Sequence, residues 1–226
     1  MALGSAAPAA AQAPTGLDSL FDLVVSGGPL MIPLALCSVI ALAFVVERWL
    51  RLSPGRLGGG GFARDLVAAV RDGGVPRGLA LCEERRSKPL ARIMSAALSR
   101  WNAPFLEREK SVEDAGTREV KQLAINLRPL VVITTIAPLL GLLGTVWGMI
   151  LAFANIGLHE GMGKPEMLAY GISQALVTTA AGLAIAIPTQ AAYFYLKSKV
   201  DRFARHSEEL YDDVSKSLDT RVAPGA

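Results

Sequence analysis

Three stretches of the chain, of 24, 30 and 30 residues, contain no charged residue and no histidine: residues 23–46, 129–158 and 167–196. An α-helix rises about 1.5 Å per residue, and the hydrocarbon layer of a bilayer is roughly 30 Å thick, so about 20 apolar residues suffice to cross it. The pattern therefore predicts three transmembrane helices, over residues 30–48, 129–155 and 168–196. Helices buried in a soluble protein are the alternative, but this length would have to recur three times in 226 residues.

Basic residues lie almost entirely on one side of these predicted spans. Of the 23 Lys and Arg residues, none precedes Arg48, sixteen lie from Arg48 to Arg128, and six lie from Lys197 to Arg221. Only Lys164 lies between the second and third spans. Because positive charge near span ends marks the cytosolic side, we expect a bacterial inner-membrane protein with a periplasmic N-terminus and a cytosolic C-terminus. The net charge of +3 reflects this topology, and the interleaved glutamates argue against a nucleic-acid partner.

The remaining periplasmic segments are short. Residues 1–16 are rich in Ala and Pro, and we expect them to be disordered. Residues 17–29 carry apolar side chains at helical intervals, which predicts a helix on the periplasmic membrane surface before Gly27-Gly28-Pro29 ends it. Residues 156–167 are predicted to be the periplasmic loop.

The cytosolic parts of the chain are predicted to be helical as well, which makes the chain an all-α membrane protein. Residues 49–128 form a helical cytosolic segment with two apolar faces: Phe62, Leu66, Val67 and Val70, then Leu90, Ile93, Met94, Ala97 and Trp101. Residues 104–128 are charged and run directly into the second span, so we expect one long helix that extends this span into the cytosol. Residues 197–226 extend the third span in the same way, as a helical tail.

The sequence offers no catalytic, metal or cofactor site. The two histidines, His159 and His206, have no ligand spacing around them. The glycines at 58–61 lack the Lys-Ser/Thr ending of a phosphate-binding loop. Cys37 lies in the first span and Cys82 in the cytosolic segment, so we expect no disulfide between them. An enzyme is therefore not expected.

Polar and small residues inside the spans carry most of the information about function. Hydroxyl and amide groups in hydrocarbon cost free energy unless they are paired, so they face either another helix or a water-filled path. The polar groups at issue are Thr145 in the second span and Gln174, Thr178 and Thr179 in the third. Small residues four apart allow helices to pack closely: Gly144 with Gly148, and Gly182 with Ala186. Contact between helices is the alternative role for each threonine.

Two long motifs within the spans resemble those of the ExbB/TolQ/MotA proton-channel family, and ExbB most of all. Residues 138–149, Pro-Leu-Leu-Gly-Leu-Leu-Gly-Thr-Val-Trp-Gly-Met, are similar to the second-span signature of this family. Residues 174–188, Gln-Ala-Leu-Val-Thr-Thr-Ala-Ala-Gly-Leu-Ala-Ile-Ala-Ile-Pro, are similar to the third-span signature. Gly28-Pro29 before the first span and Glu47-Arg48 at its end also match, so the resemblance covers residues 20–200.

The resemblance implies a pore-forming subunit of a motor driven by the proton-motive force. Such a subunit forms a homopentamer around an ExbD-like or TolR-like single-span partner and energises a TonB-like or TolA-like protein for transport at the outer membrane. By motif position, Thr145 and Thr179 correspond to pore-facing threonines, with Thr178 and Gln174 beside them. The glutamate that the family carries in the third span is replaced by Gln174 here.

This replacement leaves the membrane interior of the chain without a carboxylate, since Glu47 lies at the cytosolic end of the first predicted span. Proton transfer nevertheless requires a group that gains and loses a proton. The resemblance implies that a membrane aspartate of the partner supplies it. We hypothesise that this aspartate passes the apolar wall when neutral, and that the ring of Thr145, Thr178, Thr179 and Gln174 holds it when ionised. Proton entry and exit on opposite sides would then drive stepwise motion, which the resemblance implies is rotation. The alternatives are a TolQ-like subunit for envelope integrity, a gliding or motility stator component and a passive membrane scaffold.

Overall fold

The computed structural model of the protein describes residues 27–158 and 165–222. All regular elements in these residues are helices, which confirms the all-α prediction. They are α1 (Met31–Arg51), α2 (Pro54–Leu57), α3 (Gly60–Glu84), α4 (Pro89–Ser99), α5 (Phe105–Ile125), α6 (Arg128–Leu158) and α7 (Pro165–Val222).

Three helical stretches are long and apolar enough to cross a membrane: Met31–Arg51, Phe105–Ala154 and Leu168–Thr220. The prediction of three membrane-spanning helices is therefore confirmed. Each contains most of one of the charge-free stretches found in the sequence, and the first has two basic residues in its last turn, Arg48 and Arg51. Basic side chains at this end can interact favourably with the last carbonyl groups of the helix.

The helical stretch Phe105–Ala154 joins the second span to its charged extension, but a two-residue turn interrupts it, whereas we expected one unbroken helix. Helix α5 ends at Ile125 and α6 begins at Arg128, with a turn at Asn126 and Leu127 between them. Proline at position 129 explains why a new helix starts here, because it has no N–H to donate and is favoured in the first turn of a helix. The cytosolic extension of the second span is therefore a separate helix.

The third span does continue into its tail, since α7 runs for 58 residues without a break. Beyond Pro188 the tail keeps one apolar stripe that is buried: Leu196, Val200, Phe203, Leu210, Val214 and Leu218. Spacings of three, four and seven residues place these side chains on one helix face. This stripe gives the charged tail a buried side.

Several predicted segments lie wholly or partly outside the described residues. These are residues 1–16, most of the predicted surface helix at 17–29, the middle of the predicted loop at 159–164 and the end of the predicted tail at 223–226. In the described part, Gly27 to Leu30 form a turn before α1. The residues that flank 159–164 and were predicted to belong to the loop are helical, in α6 and α7.

The chain divides into two compact units. Among the described residues, the first comprises 27–36, 136–158 and 165–185, and the second comprises 37–135 and 186–222. In the second unit both predicted apolar faces of the cytosolic segment enter one core, with α4 packed against α3 and α5. A two-pronged ion pair also joins α4 to α5, because Arg92 Nε and Nη2 lie 2.7 and 2.5 Å from the two carboxylate oxygens of Glu119.

Candidate ion pathway

In the first unit, α6 and α7 pack backbone against backbone, and glycines make this possible. A methyl group placed on Gly144 would lie 2.2 Å from Thr178 Oγ1, and one on Gly182 would lie 2.6 Å from the carbonyl oxygen of Ala137. Real methyl groups do not come this close to a neighbouring atom. Small residues let membrane helices approach until their backbones touch. Gly144 and Gly182 therefore lie in a close contact between two helices of the same chain.

The two other small residues of the predicted packing motifs have different surroundings. A methyl group on Gly148 would lie 3.0 Å from the carbonyl oxygen of Gly171 and 3.2 Å from Ala175 Cβ, so Gly148 extends the same contact. Ala186 is buried too, but it belongs to the second unit. The Gly144-x-x-x-Gly148 pair thus lies on one contact face, whereas the residues of the Gly182-x-x-x-Ala186 pair belong to different units.

Thr145 and Thr179 are half-buried residues of this unit, and both hydroxyl groups donate to backbone carbonyls. Thr145 Oγ1 donates to the carbonyl oxygen of Leu142, one turn earlier in α6, at 2.7 Å. Thr179 Oγ1 donates across the helix contact to the carbonyl oxygen of Gly141 at 3.1 Å. A threonine hydroxyl has one proton and two lone pairs. Both groups therefore keep acceptor capacity after their only proton is used.

Thr178 lies in the interior of the chain, where α6 and α7 meet. Its side chain is 1% exposed, and its hydroxyl donates to the carbonyl oxygen of Ala175 at 2.8 Å. The methyl and hydroxyl groups fill the space that Gly144 leaves on α6. In this geometry Thr178 contributes to the contact between α6 and α7 and does not face outward.

Gln174 is also mostly buried, at 9% exposure, and its amide lies against the turn that precedes α1. A methyl group on Gly28 would meet Gln174 Nε2, so any other residue there would require the end of the Gln174 side chain to move. Gly28 also has φ +72, a conformation that glycine adopts without strain. The sequence does not predict this contact between Gln174 and Gly28. Its one indication in the sequence is the glycine that precedes Pro29.

The electrostatic character of this site follows from what its helices lack. Residues 129–158 and 167–196 contain no Asp, Glu, Lys, Arg or His. Hydroxyl and amide groups can hydrogen-bond a proton carrier but do not titrate near neutral pH. In the described part of the chain, no three His, Cys, Asp or Glu residues are close enough together to hold a metal ion. The site is thus polar and uncharged.

Comparison with known proteins identifies the family of the chain. Residues 85–209 match the family model described as the MotA/TolQ/ExbB proton channel family. The protein named ExbB-like 1 of Synechocystis sp. is 34% identical over 207 residues, which cover 87% of this chain and 79% of the relative. The biopolymer transport protein exbB1 of Vibrio cholerae is 32% identical over 191 residues, 82% of each chain.

A relative from another branch matches over a shorter stretch. The Tol-Pal system protein TolQ of Haemophilus influenzae is 33% identical over 104 residues, 46% of this chain and 45% of the relative. The region of this chain that matches the family model contains all of α6, with Thr145, and the part of α7 that carries Gln174, Thr178 and Thr179. The chain is a member of the MotA/TolQ/ExbB proton channel family.

Proposed function

We propose that this protein is an ExbB-like, pore-forming subunit of a motor that the proton-motive force drives. Five copies surround the single-span helix of an ExbD-like partner in the bacterial inner membrane. The complex energises a TonB-like protein that acts on outer-membrane transport. Membership of the proton channel family and the transport-related names of its relatives support this proposal.

One observation carries the proposal: the polar residues of α6 and α7 form an uncharged site where glycines let the two helices pack closely. Thr145 and Thr179 present hydroxyl groups in helical stretches without a carboxylate. A proton carrier must therefore come from another chain, and a membrane carboxyl group of the partner is suitable chemistry. This subunit contributes the polar surface along which that carboxyl group moves.

The hydrogen bonds of the two threonines favour one protonation state of the partner's carboxyl group. Both hydroxyl groups already donate their hydrogen bonds to backbone carbonyls. They can therefore offer only lone pairs to the partner's carboxyl group. A protonated carboxyl group, or water, can donate to these lone pairs. An ionised carboxylate can bind only if a hydroxyl leaves its carbonyl. The threonines thus act as acceptors for the neutral acid and become donors after rotation of the hydroxyl.

Thr178 and Gln174 have a positioning role in this proposal. Thr178 fixes the distance between α6 and α7, and Gln174 packs against the turn before α1. Neither needs to touch the partner's carboxyl group. Two residues that our sequence hypothesis placed in the ring around the aspartate are therefore assigned to the support behind it.

The test is proton flux through vesicles that contain the purified chain and its ExbD-like partner, measured with a pH-sensitive dye. In the Thr145→Val, Thr179→Val double variant we expect flux to fall about tenfold or more, since each lost hydrogen bond is worth about 1 kcal/mol. Thr135→Val is the matched control. Its hydroxyl makes the same kind of bond, to the carbonyl oxygen of Val131, but it lies in the second unit.

Thermal unfolding in detergent shows whether a fall in flux reflects the lost hydrogen-bond partner for the carboxyl group (the relay) or a weakened contact between α6 and α7. Thr179→Val removes a bond between helices and is expected to cost about 1 kcal/mol, whereas Thr145→Val removes only a bond within α6. Flux that falls in Thr145→Val at unchanged stability supports the relay. Full flux in the double variant would contradict the proposed role of both threonines.

A passive scaffold is the second candidate, and one observation favours it. The hydroxyl groups of Thr145, Thr178 and Thr179 are all satisfied by backbone carbonyls of their own chain. Such threonines can serve helix packing alone. A complex with the partner that assembles fully but conducts no protons would favour this candidate. A TolQ-like role is distinguished by the partner that co-purifies, which would be TolR-like rather than ExbD-like.

A further inference from the structure

An aromatic pair with a lysine above it lies in the second unit, where α1 ends. The rings of Trp49 and Tyr195 stack with their centroids 5.0 Å apart. Lys199 Nζ lies 4.5 Å from the centre of the Trp49 ring and 4.9 Å from that of Tyr195. Both rings are about half exposed. Exposed Trp and Tyr side chains at the end of an apolar helix are typical of the boundary between hydrocarbon and lipid headgroups.

A cavity of about 340 Å³ opens next to this aromatic pair. It begins at Leu52, which follows Trp49 by three residues and so lies about 4.5 Å further along the axis, on the side away from the apolar span. Its walls are largely apolar, and two basic residues complete them. The lining residues are Leu52, Pro54, Leu57, Gly58, Gly59, Lys199, Arg202, Phe203 and His206.

The two basic residues of this cavity have no carboxylate partner. Among the described residues, the ion pairs involve Arg48, Arg51, Arg85, Arg86, Arg92 and His206, and neither Lys199 nor Arg202 belongs to one. Two cations beside an apolar wall need an anion that has an apolar part. The aromatic rings satisfy only the face of Lys199 that lies above them.

We propose that this cavity binds the headgroup of an anionic phospholipid, with the phosphate between Lys199 and Arg202. A volume of 340 Å³ is at the small end of the range for ligand sites, so it suits a headgroup rather than a whole lipid. The exposed ring of Pro54, together with the small accessible parts of Leu52, Leu57 and Phe203, provides an apolar surface for the start of the lipid chains. A free phosphate ion would leave this surface without a matching group. On the orientation proposed above, the site lies in the cytosolic leaflet, where anionic lipids attract basic residues.

The experiment compares lipid retention by the purified full-length chain in mild detergent, using native mass spectrometry. Phosphatidylglycerol and phosphatidylcholine are supplied in equal amounts. The test variant is Lys199→Gln, Arg202→Gln, and the matched control is Lys197→Gln, Arg205→Gln. The control removes the same charge from exposed residues of the same part of α7 that do not line the cavity. The single variant Arg202→Gln leaves Lys199 on its aromatic rings and guards against a folding defect.

We expect the wild-type chain and the control to retain phosphatidylglycerol in preference to phosphatidylcholine. The test variant should lose this preference, with retention about 25-fold weaker, since the hydrogen bond that each of the two residues donates to the bound phosphate contributes about fivefold. Arg202→Gln should lose about fivefold with an unchanged helical circular dichroism spectrum. Equal losses in test and control would overturn the site in favour of general surface attraction. Displacement of the lipid by millimolar inorganic phosphate would also overturn it, in favour of a soluble anion. Neither readout depends on proton flux.

Discussion

A threonine in a membrane helix has one proton to donate, and where it goes decides what the residue can do. The hydroxyl group of Thr145 donates its hydrogen bond to the carbonyl oxygen of Leu142, and that of Thr179 donates to the carbonyl oxygen of Gly141. Both residues therefore combine a structural bond with free lone pairs. The two roles that the sequence leaves as alternatives, helix contact and pathway, can coexist in one hydroxyl group. Thr178 differs because burial removes its lone pairs from any surface.

Cys82 provides a residue-level test of the core in the second unit. Its thiol is buried beside Glu83, and burial followed by the nearby negative charge raises its pKa from 9.0 to about 12. The reactive thiolate fraction near pH 8 then falls about 1,000-fold, since each unit of pKa is a factor of ten. In a Cys37→Ser background we expect Cys82 to react with iodoacetamide only after unfolding.

The control for this labelling is an exposed thiol on a neighbouring helix. Ser99 is exposed at the end of α4, so a Ser99→Cys chain without the two native cysteines should react at the rate of a small thiol. Should Cys82 in the folded chain react within tenfold of that rate, the buried position assigned to it would be wrong.

At the scale of helices, the contact between α6 and α7 has almost no room to adjust. A methyl group on Gly182 would meet the carbonyl oxygen of Ala137 at 2.6 Å, and a backbone atom cannot move aside as a side-chain tip can. We expect Gly182→Ala to destabilise the chain by about 1–3 kcal/mol, the usual cost of overpacking. Thermal unfolding in detergent is the measurement, together with proton flux in the complex.

Gly116→Ala is the matched substitution for this contact. Gly116 lies inside α5, and a methyl group there would have open space around it. Alanine has the higher helix propensity, so we expect unchanged or slightly increased stability, by up to about 1 kcal/mol. Equal effects at Gly116 and Gly182 would mean that helix propensity, rather than the close contact, explains the glycine at position 182.

The sequence predicts these helices well where one physical rule dominates and less well where two compete. The absence of charge over residues 129–158 and 167–196 predicts the spans, because the hydrocarbon layer excludes unpaired charge. Periodicity predicts the buried faces of α3 and α4 for the same kind of reason. At Pro129, continuity of polar composition favours one helix, but the missing N–H favours a new start, and the structure shows the second outcome.

The candidate site is less predictable from sequence, because the role of each residue depends on the direction of its side chain and not on its residue type. Thr178 and Thr179 are adjacent and chemically identical, yet one is enclosed against Gly144 and the other bonds across to Gly141. Successive residues of a helix point about 100° apart, so only the position of the neighbouring helix assigns their roles. Gln174 has the same limitation, since its contact is with Gly28, far away in the sequence.

At the scale of the whole molecule, the distribution of basic residues determines a topology that can be tested. Fifteen of the 23 Lys and Arg residues lie between the first two predicted spans, Arg48 is the last residue of the first span, and one lies between the second and third. We therefore expect cysteine labels placed at Gly74 and Thr220 to be accessible only from the cytosol. Labels at Ala7 and Gly161 should react with an impermeant maleimide added to whole cells with a permeabilised outer membrane.

These labels are best placed one at a time in a Cys37→Ser, Cys82→Ser chain, which provides the unlabelled background. A label at Gly161 that reacts only after the inner membrane is opened would contradict the orientation, and together with a cytosolic Gly74 it would also contradict α6 as a span. A periplasmic Gly74 would contradict the orientation alone, because the three apolar helices remain compatible with either direction. Lys164 makes Gly161 the more stringent position, since it is the single basic residue on the side that the charge rule assigns to the periplasm. A periplasmic Gly161 beside a cytosolic Thr220 would require α7 to cross the membrane, as the charge-free residues 167–196 predict.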